Sequence, residues 1–242
     1  MSIESALIVI AAVWGAATGA LLPRAAYRFA APAGEEWRTT CPKGHPISGW
    51  LGRAYCPDCG TRYGPAAAPL AAATALVCAA LAAATGTHPE LAAWLLIAPP
   101  AVLLATVDLR VRRLPDPLTL PLAAATLTLL GVAALLPEPA GSWTTALLGA
   151  LALAAGYFVL FLINPSGMGF GDVKLALTAG AALAWYGWPT LLLGTFAGFL
   201  LGALYGGVLV VARRATRETA IPFGPFLIAG AFLGLLVGAY AA

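Results

Sequence analysis

The sequence predicts an all-α polytopic membrane protein with about eight transmembrane helices and a small polar insertion between the first and second. Three observations carry this. Hydrophobic residues make up 61% of the 242 positions and charged residues 10%, with a mean hydropathy of +0.88, where a soluble domain carries roughly 25% charged residues. The charges gather between long apolar runs; a span needs about 20 residues, so roughly eight fit once the single long polar stretch is set aside. All thirteen Lys and Arg fall in alternate connections, the asymmetry that orients membrane proteins. The formal net charge of +3 is too small to suggest a nucleic-acid partner.

Taken in order, residues 3–22 form an apolar run with no base before it, which predicts an uncleaved first span rather than a secretory signal. Arg24 and Arg28 follow at once and place the N-terminus outside. Residues 29–65 are the one extended polar region and hold three of the four cysteines, predicting a small cytoplasmic unit between the first helix, 1–28, and a seven-helix membrane domain, 66–242. Within that domain the spans are expected at 66–84, 91–107, 118–136, 143–163, 172–185, 190–212 and 223–240. The sixth is short for a full crossing. His88 and Glu90 fall in an outer loop, and Arg213, Arg214 and Arg217 in a basic inner one. Asp108 and Asp172 thereby share the cytoplasmic face.

Gly167-Met168-Gly169-Phe170-Gly171-Asp172-Val173-Lys174 joins two apolar segments. Three glycines in five positions permit a tight turn or a close approach of backbone. Asp172 at a membrane edge is a functional candidate by default, with helix capping as its structural alternative. Asp108 closes a span at its C-terminal end, where the helix dipole disfavours negative charge, so capping does not explain it; pairing with Arg110, Arg112 or Arg113 would. Asp116, before Pro117, reads as the N-cap of the fourth span. Lys174 reads as a cation snorkelling at the membrane edge, close enough to influence the acid.

The stretch G-x-G-x-G-D-V-K, with an upstream D-x-x-x-x-x-x-P-D-x-L-T-L-P and a cysteine-bearing polar segment before both, resembles the type IV prepilin peptidases, bacterial members of the GxGD aspartic membrane proteases. The resemblance runs from about Gly15 to the C-terminus. It implies Asp108 and Asp172 as the catalytic acids, and Gly167, Gly169, Gly171 and Lys174 as the active-site loop. The activity implied is cleavage of prepilins or pseudopilins between a short basic leader and a hydrophobic helix, at the cytoplasmic face of the bacterial inner membrane.

Cys41-Pro42-Lys43-Gly44-His45 and Cys56-Pro57-Asp58-Cys59 look like a zinc knuckle. Reduced cytoplasmic thiols favour metal over a disulfide, and Cys41, His45, Cys56 and Cys59 would supply four ligands. Relatives often show two C-x-x-C pairs here; this chain has Gly44 where the second cysteine of the first pair would stand. Cys78 lies within a span and reads as a small packed hydrophobe. Many relatives also N-methylate the new N-terminus with S-adenosylmethionine, which the short segment and the missing cysteine leave open. Two other readings stand beside the peptidase: a transporter in which the acids bind cations or relay protons, and a catalytically silent pilus-assembly protein of the same fold.

Overall fold

The computed structural model describes residues 2–32, 34–165, 167–212 and 221–242; Arg213, Arg214 and Arg217 lie outside them. Eight helices follow in order: α1 (Ile3–Phe29), α2 (Ala67–Thr85), α3 (Glu90–Val111), α4 (Asp116–Ala133), α5 (Trp143–Ile163), α6 (Phe170–Trp185), α7 (Trp188–Val211) and α8 (Gly224–Ala241). Among the described residues, seven are long and apolar enough to cross a membrane. The eighth, α6, has 16 residues, about 24 Å at 1.5 Å per residue. It touches α4, α5, α7 and α8 and is buried along nearly its whole length. Surrounded by protein rather than lipid, it has no need to match the bilayer thickness.

Small residues set the helix pairs. A side chain at Gly15 or Gly19 of α1 would meet the α2 backbone at Thr74 and Leu70, and Gly149 of α5 lies against Gly180 of α6. Gly194 and Gly198 of α7 face Gly230 and Gly234 of α8. Such spacings let backbones approach where the solvent is as apolar as the side chains and packing must supply the attraction.

Several boundaries shift by a few residues, and three of the shifts change the reading of the residues near them. Helix α1 continues past Leu22 through Pro23 to Phe29. The proline interrupts the regular helical ladder there, and the Cys-bearing segment pairs with the flanking backbone: Gly52 N–H donates to the Leu21 carbonyl and the Gly52 carbonyl accepts from Arg24 N–H. Helix α3 runs from Glu90 to Val111, so Asp108 stands in its last turn and Glu90 opens it. Glu90 is not in an open loop but fully buried; its Oε1 accepts from the Tyr186 hydroxyl at 3.3 Å, which in turn accepts from Trp94 Nε1 at 3.0 Å. Helix α6 starts two residues before Asp172.

Candidate active site

Asp108 and Asp172 lie at the same end of the bundle, where α3 ends and α4, α6 and α8 begin. Both are nearly closed off, 5% and 6% exposed. Among the described residues α3 and α6 make no direct backbone approach; α4 and α8 each pack on both and bring the two ends together. Asp108 Oδ2 accepts the Gly224 N–H at 3.0 Å. Gly224 is the first residue of α8, so this N–H has no partner within its own helix. The carboxylate disfavoured at the end of α3 is thus received at the positive start of another helix.

Asp172 occupies the third position of α6, and its Oδ2 accepts the N–H of the capping residue, Gly169, at 3.2 Å. Each acid therefore rests on one backbone N–H at the start of a helix, and the two carboxylates lie within electrostatic reach of each other.

Leu114, 8% exposed, stands between these corners. An ideal Cβ on Gly171 would fall 2.8 Å from Leu114 Cβ, and one on Gly224 would fall 3.3 Å from Leu114 Cδ2 and 2.8 Å from Asp108 Oδ2. None of Gly167, Gly169 and Gly171 has a left-handed backbone. Gly171 serves close approach, and Gly167 folds back on Asn164, whose carbonyl accepts its N–H at 3.1 Å. The residue that does turn left-handed is Arg112, φ 51°, which closes α3 and swings Leu114 inward.

One expectation is corrected. Asp116 caps nothing: Pro115 is the N-cap of α4 and Asp116 its first residue, with its side chain ion-paired to Lys174 Nζ at 2.6 Å. Lys174 is held by that pair and lies 4.9 Å from the Phe170 ring centre. Sequence reasoning missed Leu114, Gly224 and Tyr157. Tyr157 of α5 is 1% exposed, has no hydrogen-bond partner for its hydroxyl among the described residues, and lies within electrostatic reach of Asp172. The signal for Gly224 was its place in Pro222-Phe223-Gly224-Pro225, a helix start with a free N–H.

The cysteines converge as two tight turns. Cys41 N–H donates to the His45 carbonyl and Gly44 N–H to Cys41, while Cys56 N–H donates to Thr61 and Gly60 N–H to Cys56; Gly44 and Gly60 take left-handed backbones, φ 86° and 68°. One donor atom from each of Cys41, His45, Cys56 and Cys59 lies within 4.8 Å of the others. Cys41 Sγ is 3.8 Å from Cys59 Sγ and 3.6 Å from His45 Nδ1. A tetrahedral zinc with 2.3 Å thiolate bonds requires sulfurs about 3.8 Å apart; the Cys41–Cys59 pair matches that separation, and the four donors could hold a metal ion.

The thiols are unequal. The Thr61 hydroxyl, 3.3 Å from Cys59 Sγ, is the main cause pulling that thiol down to about 6. Burial pushes Cys56 up. At Cys41 burial also raises the thiol, but backbone hydrogen bonds from Lys43 and His45 outweigh it and leave it lowered. The bond to Cys41 raises His45.

The Type IV leader peptidase family matches residues 91–207, which include both aspartates. A protein of Aeromonas hydrophila named prepilin leader peptidase/N-methyltransferase is 34% identical over 227 residues, covering 83% of this chain and 72% of that one. Its namesake from Pseudomonas aeruginosa is 31% identical, covering 83% and 71%. That of Aeromonas salmonicida is 37% identical over 155 residues, covering 60% of this chain; the match spans about half, 47%, of that relative's length. No solved structure matches. With two relatives above 30% identity each matched over more than two thirds of its length and the family match lying across both acids, the chain belongs to the type IV leader peptidase family.

Proposed function

We propose that the chain is an integral membrane aspartic endopeptidase that removes the leader of prepilin-like proteins, with Asp108 and Asp172 as its acids. The observation that carries this is two buried carboxylates at one end of the bundle, from separate helices and each held by one helix-start N–H. Neighbouring carboxylates do not both ionise readily and so share a proton. The ionised one takes a proton from water, whose oxygen attacks the scissile carbonyl carbon. The protonated partner donates to the carbonyl oxygen, and the leaving nitrogen gains a proton as the C–N bond breaks. Gly171 and Gly224 carry no side chain of their own beside the acids, and the Leu114 side chain packs into the room they leave.

A groove of about 370 Å³ supports the substrate assignment. It runs among α2, α3, α6 and α8 with almost entirely apolar walls. Thr106, Leu109 and Pro225 line it beside Asp108 and Gly224; Trp94 and Leu235 line it farther along, and Trp94 to Leu109 spans about 22 Å of helix. The hydrophobic helix that follows a prepilin leader would lie here with the scissile bond at the acids. The described bases gather at this end of the bundle, which supports reading it as the cytoplasmic face, with the N-terminus outside; the membrane of this reading is the bacterial inner membrane.

Cys41, His45, Cys56 and Cys59 would hold a structural zinc that closes the two turns on each other. The relatives' names carry a second activity; methyl transfer from S-adenosylmethionine to the amine freed by cleavage would use the same face, and we assign no residue to it. The test is co-expression with a prepilin from the same genome and mass analysis of its N-terminus. Loss of the leader is expected, with an added methyl group if the second activity is present. Intact prepilins alongside normal levels of the protein in the membrane would overturn the reading.

A further inference from the structure

The geometry points to Arg113 as a positioning residue that fastens the Cys-bearing segment to the active site. Its catalytic half rests on the peptidase reading; its structural half does not. Arg113 Nη1 donates to the carbonyls of Ala31, Pro32 and Glu35 at 3.3, 2.8 and 3.4 Å, and its guanidinium lies 4.3 Å from the centre of the Trp37 ring. Only an arginine offers both a planar fork and a stacking face.

From Trp37 the contact continues inward. Trp37 packs edge-on against Phe29 at 5.2 Å, and Phe29 against Trp50 at 4.6 Å. Trp50 lies 3.8 Å beneath Arg28, which donates to the carbonyls of Gly49 and Arg38. The Tyr27 hydroxyl donates to the carbonyl of Thr40, the neighbour of Cys41. The other direction is shorter. The next residue after Arg113 is Leu114, which fills the space left by Gly171 beside Asp172 and touches the space left by Gly224 beside Asp108.

Between the end of α3 at Val111 and the start of α4 at Asp116 there are four residues, one of them the left-handed Arg112. So short a connection has little room to absorb a displacement, and a shift at Arg113 is passed to Leu114. The separation of the two acids is therefore set partly from the Cys-bearing segment, by a side chain at one of the unspecified positions between Asp108 and Pro115 of the upstream motif.

The test uses the full chain in lipid nanodiscs and compares wild type, Arg113→Lys and Arg113→Ala. Two readouts are taken: amide hydrogen exchange of residues 109–118, and kcat and KM for prepilin cleavage. Arg113→Ala is expected to raise exchange in that connection about tenfold or more and to lower kcat about tenfold with KM little changed, since misplacement acts on chemistry more than on docking. Arg113→Lys keeps the charge and an N–H donor group but loses the planar guanidinium; it folds with the least disturbance and falls between. Unchanged exchange in both variants would overturn the fastening, and raised exchange with unaltered kcat would overturn the positioning role. Should the wild type cleave no prepilin, the peptidase reading fails by itself, and the exchange data still decide whether Arg113 fastens the loop.

Discussion

Gly224→Ala is a one-carbon perturbation aimed at one acid. Nothing in the backbone forbids it, since Gly224 is absent from the left-handed glycines and begins a helix. The added methyl would stand 2.8 Å from Asp108 Oδ2, 3.2 Å from its Cγ and 3.3 Å from Leu114 Cδ2. Ordinary contact begins near about 3.4 Å, so the carboxylate must retreat by about half an ångström. That lengthens its 3.0 Å bond from the Gly224 N–H to about 3.5 Å, where little of a hydrogen bond survives.

Bonds to a charged group contribute about 1.5–3 kcal/mol, and each 1.36 kcal/mol of barrier is tenfold in rate, so cleavage should fall by about ten- to a hundredfold. The assay is prepilin processing at matched membrane levels, with Gly156→Ala as control because a Cβ there meets nothing within 4 Å. Cleavage by Gly224→Ala at more than half the control's rate would refute the claim that Asp108 depends on its place at the start of α8.

Three further outcomes follow from the same geometry. Tyr157→Phe removes a buried hydroxyl with no described protein partner near Asp172; if that hydroxyl orders the attacking water, kcat falls about tenfold with abundance unchanged, whereas unchanged kcat assigns Tyr157 to packing. Zinc binding requires deprotonated ligands. With Cys59 held to about 6, Cys56 pushed up by burial and His45 raised by Cys41, zinc uptake at neutral pH should release protons, and affinity should fall as pH is lowered, most steeply below about 6. Competition with a chromogenic chelator across that range checks it, and a flat profile would contradict the ligand set. Glu90→Ala removes the acceptor of the buried Tyr186 hydroxyl and should lower stability by about 1–3 kcal/mol in thermal unfolding, with Glu90→Gln retaining most of it; equal stability of both would contradict the buried network.

Much of the fold was legible because its determinants are local. Apolar runs near membrane length mark the spans, and the clustering of bases between alternate runs orders their ends. The cysteine donors were legible for the same reason: Cys41 and His45 lie in one turn, Cys56 and Cys59 in another, and only the meeting of the turns had to be supposed. What escaped depends on distant partners. Asp116 before Pro117 has the local form of a cap, yet its charge is claimed by Lys174, 58 residues on. Glu90 looks like loop polarity until Tyr186, 96 residues away, encloses it. Gly224 and Leu114 carry no chemistry of their own and gain meaning only when α8 meets the end of α3.

The central claim is that Asp108 and Asp172 work as one pair. Its most direct measurement is prepilin cleavage by Asp108→Asn and Asp172→Asn, with Asp116→Asn alongside and the membrane level of each variant matched to wild type. The account predicts that each of the first two abolishes cleavage and that Asp116→Asn, which loses only the ion pair with the Lys174 side chain, still cleaves. Full cleavage by either Asp108→Asn or Asp172→Asn would contradict it.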